Sequence, residues 1–337
     1  MLFRSCYLNH GESIDLIKGV EYDTVEYNTA VNSRSGMIYM DRRIRFCTIR
    51  YNLVYGYTGA GFNASTGISL NDEADSSYAG SEGNKIYGNY IANTSAGLSL
   101  RSQHVDGLFK DNEVYNNTLV DNTVQLNIPD NVGSKCSGSY IRNNIMWCTG
   151  GRTCTQATIP NTHTGLTLSH NLWSSAPEAA AQGTGDPTYA APQLQKLSGW
   201  QSYTLGGIDA SDFGLRSTST AIDAGYDVGD AYDDTLDADQ SAFATDTWVL
   251  LDQDDQGDGW EIGADVYSDS APPSGLTTPT GLAAGTPTAS MCSLTWTAST
   301  GATGYRIQYG PTSTFPDTGA TTVESTGTSA TDRKSVV

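Results

Sequence analysis

The sequence predicts an all-β chain whose main body is a parallel β-helix, a solenoid of short stacked rungs. Three observations carry that prediction. The chain is rich in glycine (36 residues) and poor in charge (16%), a pairing that suits turn-rich β structure. A motif of one apolar residue, two variable residues, Asn, one variable residue and a small or apolar residue recurs through the first half. Between its copies lies an apolar-x-apolar triplet. A fixed pattern to which the chain keeps returning is the signature of a repeat architecture.

The motif covers Val25–Ala30, Ile49–Val54, Ile86–Ile91, Phe109–Val114, Ile141–Met146 and Leu168–Trp173. Its asparagines are Asn28, Asn52, Asn89, Asn112, Asn144 and Asn171, and Cys6 takes the same place in Phe3–Leu8. Stacked, these amides are expected to form a ladder, each bonding a turn backbone and the amide of the next rung. The triplets are Ile14-Asp15-Leu16, Ile38-Tyr39-Met40, Ile68-Ser69-Leu70, Leu98-Ser99-Leu100 and Val124-Gln125-Leu126. Such alternation predicts short strands whose flanking residues point inward and whose middle residue points out. One rung cannot bury its own apolar face. Stacking rungs about 4.8 Å apart makes a continuous interior column.

The run of Asn-x-apolar rungs over about residues 1–175 resembles the right-handed parallel β-helix repeat superfamily, of pectin-lyase-like architecture. That scaffold hosts lyases, hydrolases, epimerases and adhesins, so the resemblance implies a fold and a link to polysaccharides rather than an activity. The chain opens inside a rung, so earlier rungs and an N-terminal cap are expected to precede it. Residues 176–267 are expected to be terminal rungs and a cap. Asp212–Gly225 and Gly259–Tyr267 resemble the closing segment of secreted bacterial β-helices, with Thr220 in place of Pro and Glu261 in place of Asp. Residues 268–280 read as a Pro/Ser/Thr linker. Residues 281–331, with Leu294-Thr-Trp296 and Tyr305-Arg-Ile-Gln-Tyr309, resemble part of a fibronectin type III module, a truncated immunoglobulin-like sandwich. Residues 332–337 are expected to be a disordered tail.

The formal net charge is −19, which argues against a nucleic-acid partner, because phosphate binding needs a basic footprint. No apolar run is long enough to span a membrane. The six cysteines fit no zinc spacing. They are expected to be buried, or to form one local disulfide among Cys136, Cys148 and Cys154. The expected setting is extracellular or at the cell surface, with the protein a secreted monomer acting on polysaccharide.

The middle residues of the triplets, Asp15, Tyr39, Ser69, Ser99 and Gln125, are expected to line up on the outside. The turn just beyond them carries Lys18, Asp41, Arg42, Asn71, Asp72, Glu73, Arg101, Gln103, His104 and Asn127, and Glu12 precedes the first triplet. The two longest insertions, about residues 71–84 and 128–139, fall at this same turn. Insertions stacked on one edge wall a groove suited to an extended polymer. Two chemistries fit. A polysaccharide lyase needs a cation against the uronate carboxyl group and a base for the adjacent proton. Arg42, Arg101 or a Ca²⁺ held by Asp41, Asp72 and Glu73 would supply the first; Lys18, Tyr39 or His104 would supply the second. A glycoside hydrolase needs two carboxylates about 5 Å or about 6.5–9.5 Å apart; Asp15 and Asp41 on adjacent rungs would have backbones about 5 Å apart and groups two rungs apart about 10 Å, so spacing does not choose between the two. Glu12, Tyr39, Asn71, Gln103 and Asn127 are expected to bind substrate. The alternative is a non-catalytic surface or adhesion protein in which these charges only solvate a rigid stalk. Asp252–Gly259 resembles a calcium loop but has Gly263 where that loop wants Glu, and reads first as a plain Asp/Gly turn.

Overall fold

Each rung bends at short turns, so its strands fall into stacked parallel sheets. The computed structural model describes residues 5–7, 11–56, 66–72, 80–102, 109–129, 136–149, 153–159, 165–200, 206–268, 280–285, 291–298, 305–309, 321–325 and 327–333. The anchor sheet stacks Thr24–Glu26, Thr48–Arg50, Lys85–Tyr87, Glu113–Tyr115, Ser139–Arg142 and Leu166–Ser169. A seven-stranded sheet stacks Ser5–Tyr7, Thr29–Val31, Leu53–Tyr55, Tyr90–Ala92, Thr118–Val120, Ile145–Trp147 and Leu172–Trp173. The triplet sheet stacks Ile14–Ile17, Gly36–Asp41, Thr66–Asp72, Ala96–Ser102, Val124–Asn127 and Thr155–Thr158. A small fourth sheet joins Ser81–Glu82, Phe109–Lys110 and Cys136–Ser137.

The interior column is the predicted one except at one rung, where Val114 stands in place of the expected Phe109 and Leu126 in place of Val124. Val25, Ile49, Ile86, Val114, Ile141 and Leu168 stack in register from the anchor sheet. Ile14, Ile38, Ile68, Leu98 and Leu126 stack from the triplet sheet. All of them belong to one buried core.

The asparagine ladder exists, with one member corrected. Asn28, Asn52, Asn89, Asn117, Asn144 and Asn171 pass amide hydrogen bonds of 2.9–3.0 Å from rung to rung. The ladder member is Asn117, not Asn112. Asn112 belongs to a second ladder at the next corner, where Asn84 Nδ2 donates to it at 2.9 Å and its own N–H donates to Ser139 Oγ. Phe109 correspondingly lies in the small sheet, paired with Ser81 and Cys136. Both turns of a rung want Asn after a left-handed residue, as at Asp111 and Asn116, so the motif alone does not separate them. The triplet register also differs at one rung. Ser99 pairs with Asn127 and Leu98 with Leu126, so Asn127 rather than Gln125 continues the outward row. Gln125 is buried and bonds Asn122 and the Trp147 carbonyl.

The last rung is closed by residues 177–190. Ala181 joins the interior core, and Asp186 ends the ladder by accepting from Asn171 N and Trp173 Nε1 at 2.9 Å each. Among the described residues of 190–267 none adds a further parallel rung to the three main sheets. They cover the outer face of the seven-stranded sheet. Tyr90 Oη donates to the Ala264 carbonyl, and Ala264 N donates to Thr118 Oγ1, both at 2.9 Å. Gly263 sits so close that a Cβ there would meet Ile145 Cδ1 at 2.6 Å, which explains glycine at that point of contact. Tyr90, Trp147, Trp200, Phe213, Leu236 and Trp260 form a second buried core between sheet and cover.

Residues 270–337 form a separate compact unit. It contains two small antiparallel sheets, Thr280–Ala284 with Met291–Thr297 and Ser329–Arg333, and Tyr305–Tyr309 with Thr321–Ser325. Trp296 is buried there. The strand Ser329–Arg333 includes Asp332 and Arg333, so the tail expected from residue 332 is ordered through Arg333 because its backbone pairs with Met291 and Cys292.

Candidate functional site

Two outward rows run along the triplet sheet. Parallel pairing places Asp15, Tyr39, Ser69, Ser99 and Asn127 in one row, and Ile17, Asp41, Asn71 and Arg101 in the next. Neighbours in a row are about 4.8 Å apart. The rows are buried in the middle and exposed at the ends. Asp41 and Asn71 are 2% and 3% exposed, Ser69 and Ser99 are also buried, and Asp15 and Arg101 are exposed. Asp41, Ser69, Asn71 and Ser99 thus form a buried polar patch on the outward side of this sheet, where side chains of these types are more often exposed.

The patch holds specific contacts. Asp41 Oδ2 lies 3.0 Å from Arg42 Nε, and Arg42 has a left-handed backbone. Asn71 Nδ2 donates to the Tyr39 hydroxyl across one rung. Asn71 Oδ1 is buried and has no hydrogen-bond partner. Leaving a buried acceptor unpaired costs about 1–3 kcal/mol. Asn127 Nδ2 reaches Ser99 Oγ at 3.4 Å. Lys18 is exposed in a left-handed turn, and its N–H donates to the Asp41 carbonyl. Glu12 is half-buried just before the first strand.

The sequence-predicted residues Asp15, Tyr39, Asp41, Asn71, Arg101 and Asn127 are therefore brought onto one face by register. Glu73, Gln103 and His104 lie outside the described residues, and only the backbone of Asp72 is described. Among the described residues Asp41 is engaged by Arg42, and the expected calcium set of Asp41, Asp72 and Glu73 remains a reading of the sequence. In the loop after Leu251, Asp252 Oδ1 caps the turn by accepting from Asp254 N, and Asp254 Oδ1 accepts from Trp260 Nε1. These are the bonds of a plain Asp turn. Asp233 joins Asp252 and Asp254 in an acidic group, but each of the three accepts from protein donors.

A family model described as "Periplasmic copper-binding protein (NosD)" matches residues 4–145, less than half of the chain. No curated protein matches. Among solved structures, the crystal structure of pectate lyase Pel9A is similar at 14% identity with a TM-score of 0.39, over 78% of this chain and 64% of its own. The chain thus spans less than two thirds of that enzyme's structure. Copper favours thiolate, thioether and imidazole donors, and the described residues do not assemble them. Cys148 and Cys154 are bonded to each other. Cys47 and Cys136 are buried thiols, and burial pushes Cys136 up to about 11. His170 packs on Tyr226 with ring centroids 5.3 Å apart. Rung register and the family match together make this chain a right-handed parallel β-helix.

Proposed function

We propose that the triplet face binds an extended polysaccharide outside the cytoplasm and cleaves it by β-elimination. The observation that carries this reading is the Tyr39–Asn71 pair. An amide N–H directed at a phenol oxygen stabilises the phenolate, and the unpaired Asn71 Oδ1 beside it is set to accept a sugar hydroxyl. In this scheme Arg101 neutralises a uronate carboxyl group, and Tyr39 takes the proton next to that group. The bond to the leaving sugar oxygen then breaks, a carbon–carbon double bond forms, and the leaving oxygen gains a proton from water. Asp41 holds Arg42 at the edge of the patch. Asp41 is less suited to the hydrolase role, because it is buried and ion-paired with Arg42. The disulfide Cys148–Cys154 supports an oxidising compartment, as does the periplasmic setting named for the matching family.

The test is turnover of uronate and neutral polymers by the whole chain. The expected product absorbs in the ultraviolet because it is unsaturated. Asp41→Ala and Tyr39→Phe are expected to abolish turnover with melting cooperativity intact, and Tyr39→Phe to retain binding. New reducing ends without unsaturation would replace the lyase by a hydrolase. Binding without turnover on every polymer would favour the adhesion protein. Full activity of Asp41→Ala would remove the site from this face.

A further inference from the structure

We infer that the outer face of the anchor sheet is a second polysaccharide-binding surface, specific for a polymer carrying carboxylates. The inference rests on the polysaccharide reading for the class of ligand, but not on the position or chemistry of the triplet face. Its basis is a pair of cations that the fold holds in place without neutralising. Lys85 Nζ lies 4.7 Å from the centre of the Tyr232 ring. The Arg142 guanidinium lies over two rings, 4.4 Å from Tyr140 and 4.9 Å from Tyr226. Both cations are half-buried. Neither has a carboxylate within 4.0 Å among the described residues, although Arg43, Arg50, Lys110 and Lys196 all do. Arg142 Nε is buried without a hydrogen-bond partner.

What sets these two cations apart is that each rests against tyrosine rings on a half-buried sheet face. Here the one carboxylate between them is already engaged. Glu113 follows Lys85 in register and accepts from the Tyr232 hydroxyl, and from Tyr115 Oη at 3.5 Å. Burial first, and then Glu113 itself, hold the Tyr232 phenol well above its ordinary range, so it stays a donor. Glu113 therefore fixes the ring on which Lys85 rests. Aromatic faces hold a cation in position while leaving its N–H groups free to donate. Lys85 and Arg142 are two rungs apart, about 10 Å along the axis. Arg142 lies in the column of Tyr87 and Tyr115, two residues along the strand from the Lys85 column, about 7 Å to the side, so a row of carboxylates on a polymer crossing the rungs obliquely would be met at both points. Half-burial makes each contact stronger than at a fully exposed site.

The ligand-binding test uses the whole chain carrying Asp41→Ala, so that turnover on the other face does not consume the probe. The probes are polygalacturonate and, as the neutral counterpart, dextran. Calorimetry should show polygalacturonate binding that weakens as salt rises, and no comparable dextran binding. Polygalacturonate should occupy one site on each face; Lys85→Ala and Arg142→Ala should each weaken the anchor-sheet site about tenfold, the order expected for one half-buried charged contact, and the double variant should lose that site while keeping the one on the triplet face. Arg142→Lys, which keeps the charge but loses the guanidinium over two rings, should fall between. A second measurement needs no variant: polygalacturonate should shield Lys85 from amine labelling, and dextran should not. Both sites retained at unchanged affinity in the double variant, or equal binding of dextran, would overturn the proposal. So would labelling of Lys85 that polygalacturonate leaves unchanged. Loss of turnover in Asp41→Ala with this binding retained would support both faces independently.

Discussion

The outer faces of the seven-stranded sheet and the triplet sheet begin from the same backbone and end as opposites. On the seven-stranded sheet the outward row holds Val31, Leu53, Tyr55, Tyr90, Ile145 and Trp147, all buried under residues 190–267. On the triplet sheet the corresponding positions hold Asp15, Tyr39, Ser69, Ser99 and Asn127. A strand buried on both faces is apolar at every position, whereas a strand with one working face alternates. The covered face contributes stability, and the polar face trades apolar burial for groups that can meet a ligand.

The largest effect that would sharpen this contrast is a truncation beneath the cover. Phe213 is fully buried, with ring centroids 4.7 Å from both Tyr90 and Trp200. Phe213→Ala should cost about 3–5 kcal/mol, read as a lower denaturation midpoint. An unchanged midpoint would mean that the cover is not part of the cooperative unit.

An effect of comparable size is in pH. Glu261 is fully buried in the cover, and burial, opposed by the backbone N–H groups of Glu261 and Tyr267 and aided by the charge of Asp223, pushes it up to about 8. Asp265, which accepts from the Leu215 and Ala238 amides, is raised in the same direction, chiefly by burial. Between the ordinary carboxylate range and pH 8 the folded chain keeps the Glu261 proton that the unfolded chain releases. Stability therefore falls as pH rises through that window and levels off above it. The change from Glu261 should be about 5 kcal/mol. Glu261→Gln should flatten the curve and raise stability at pH 8, as followed by denaturant titration. A curve that rises through the window would refute the assignment.

The smallest stability effect belongs to the polar face. Ser99→Ala should change stability by no more than about 0.5 kcal/mol while weakening polymer binding. A loss of several kcal/mol would show that the polar row is structural.

Much of the fold was legible from the residues, and the misreadings have definite causes. The interior positions of the anchor and triplet sheets could be read because one-sided burial imposes a period of two. Asn112 was placed in the wrong ladder because Asn112-Glu-Val114 and Asn117-Thr-Leu119 present the same local pattern, and both follow left-handed residues. Gln125 was misaligned because a slip of two residues keeps every side chain on its own face, where a slip of one would not. The cover left a readable trace in Leu53-Val-Tyr55, Tyr90-Ile-Ala92 and Ile145-Met-Trp147, which are apolar throughout. That pattern signals burial on both faces, but not which segment does the burying. Lys85, Glu113 and Arg142 carried no signal, because ordinary charged residues on a strand read as solvated until Tyr226 and Tyr232 are brought beside them.

The sequence by itself determined that this chain stacks rungs, which residues face the interior, and that a polar row runs along one side. Those properties follow from local alternation and from a repeat that only stacking can satisfy. Tertiary structure alone decided which of two equivalent asparagines joins each ladder and how the rungs align by even steps. It also decided that residues 190–267 fold back over a flank instead of adding rungs. These choices depend on contacts between residues far apart in the chain, such as Tyr90 with Ala264 or Asn171 with Asp186, and no local pattern encodes such a pairing.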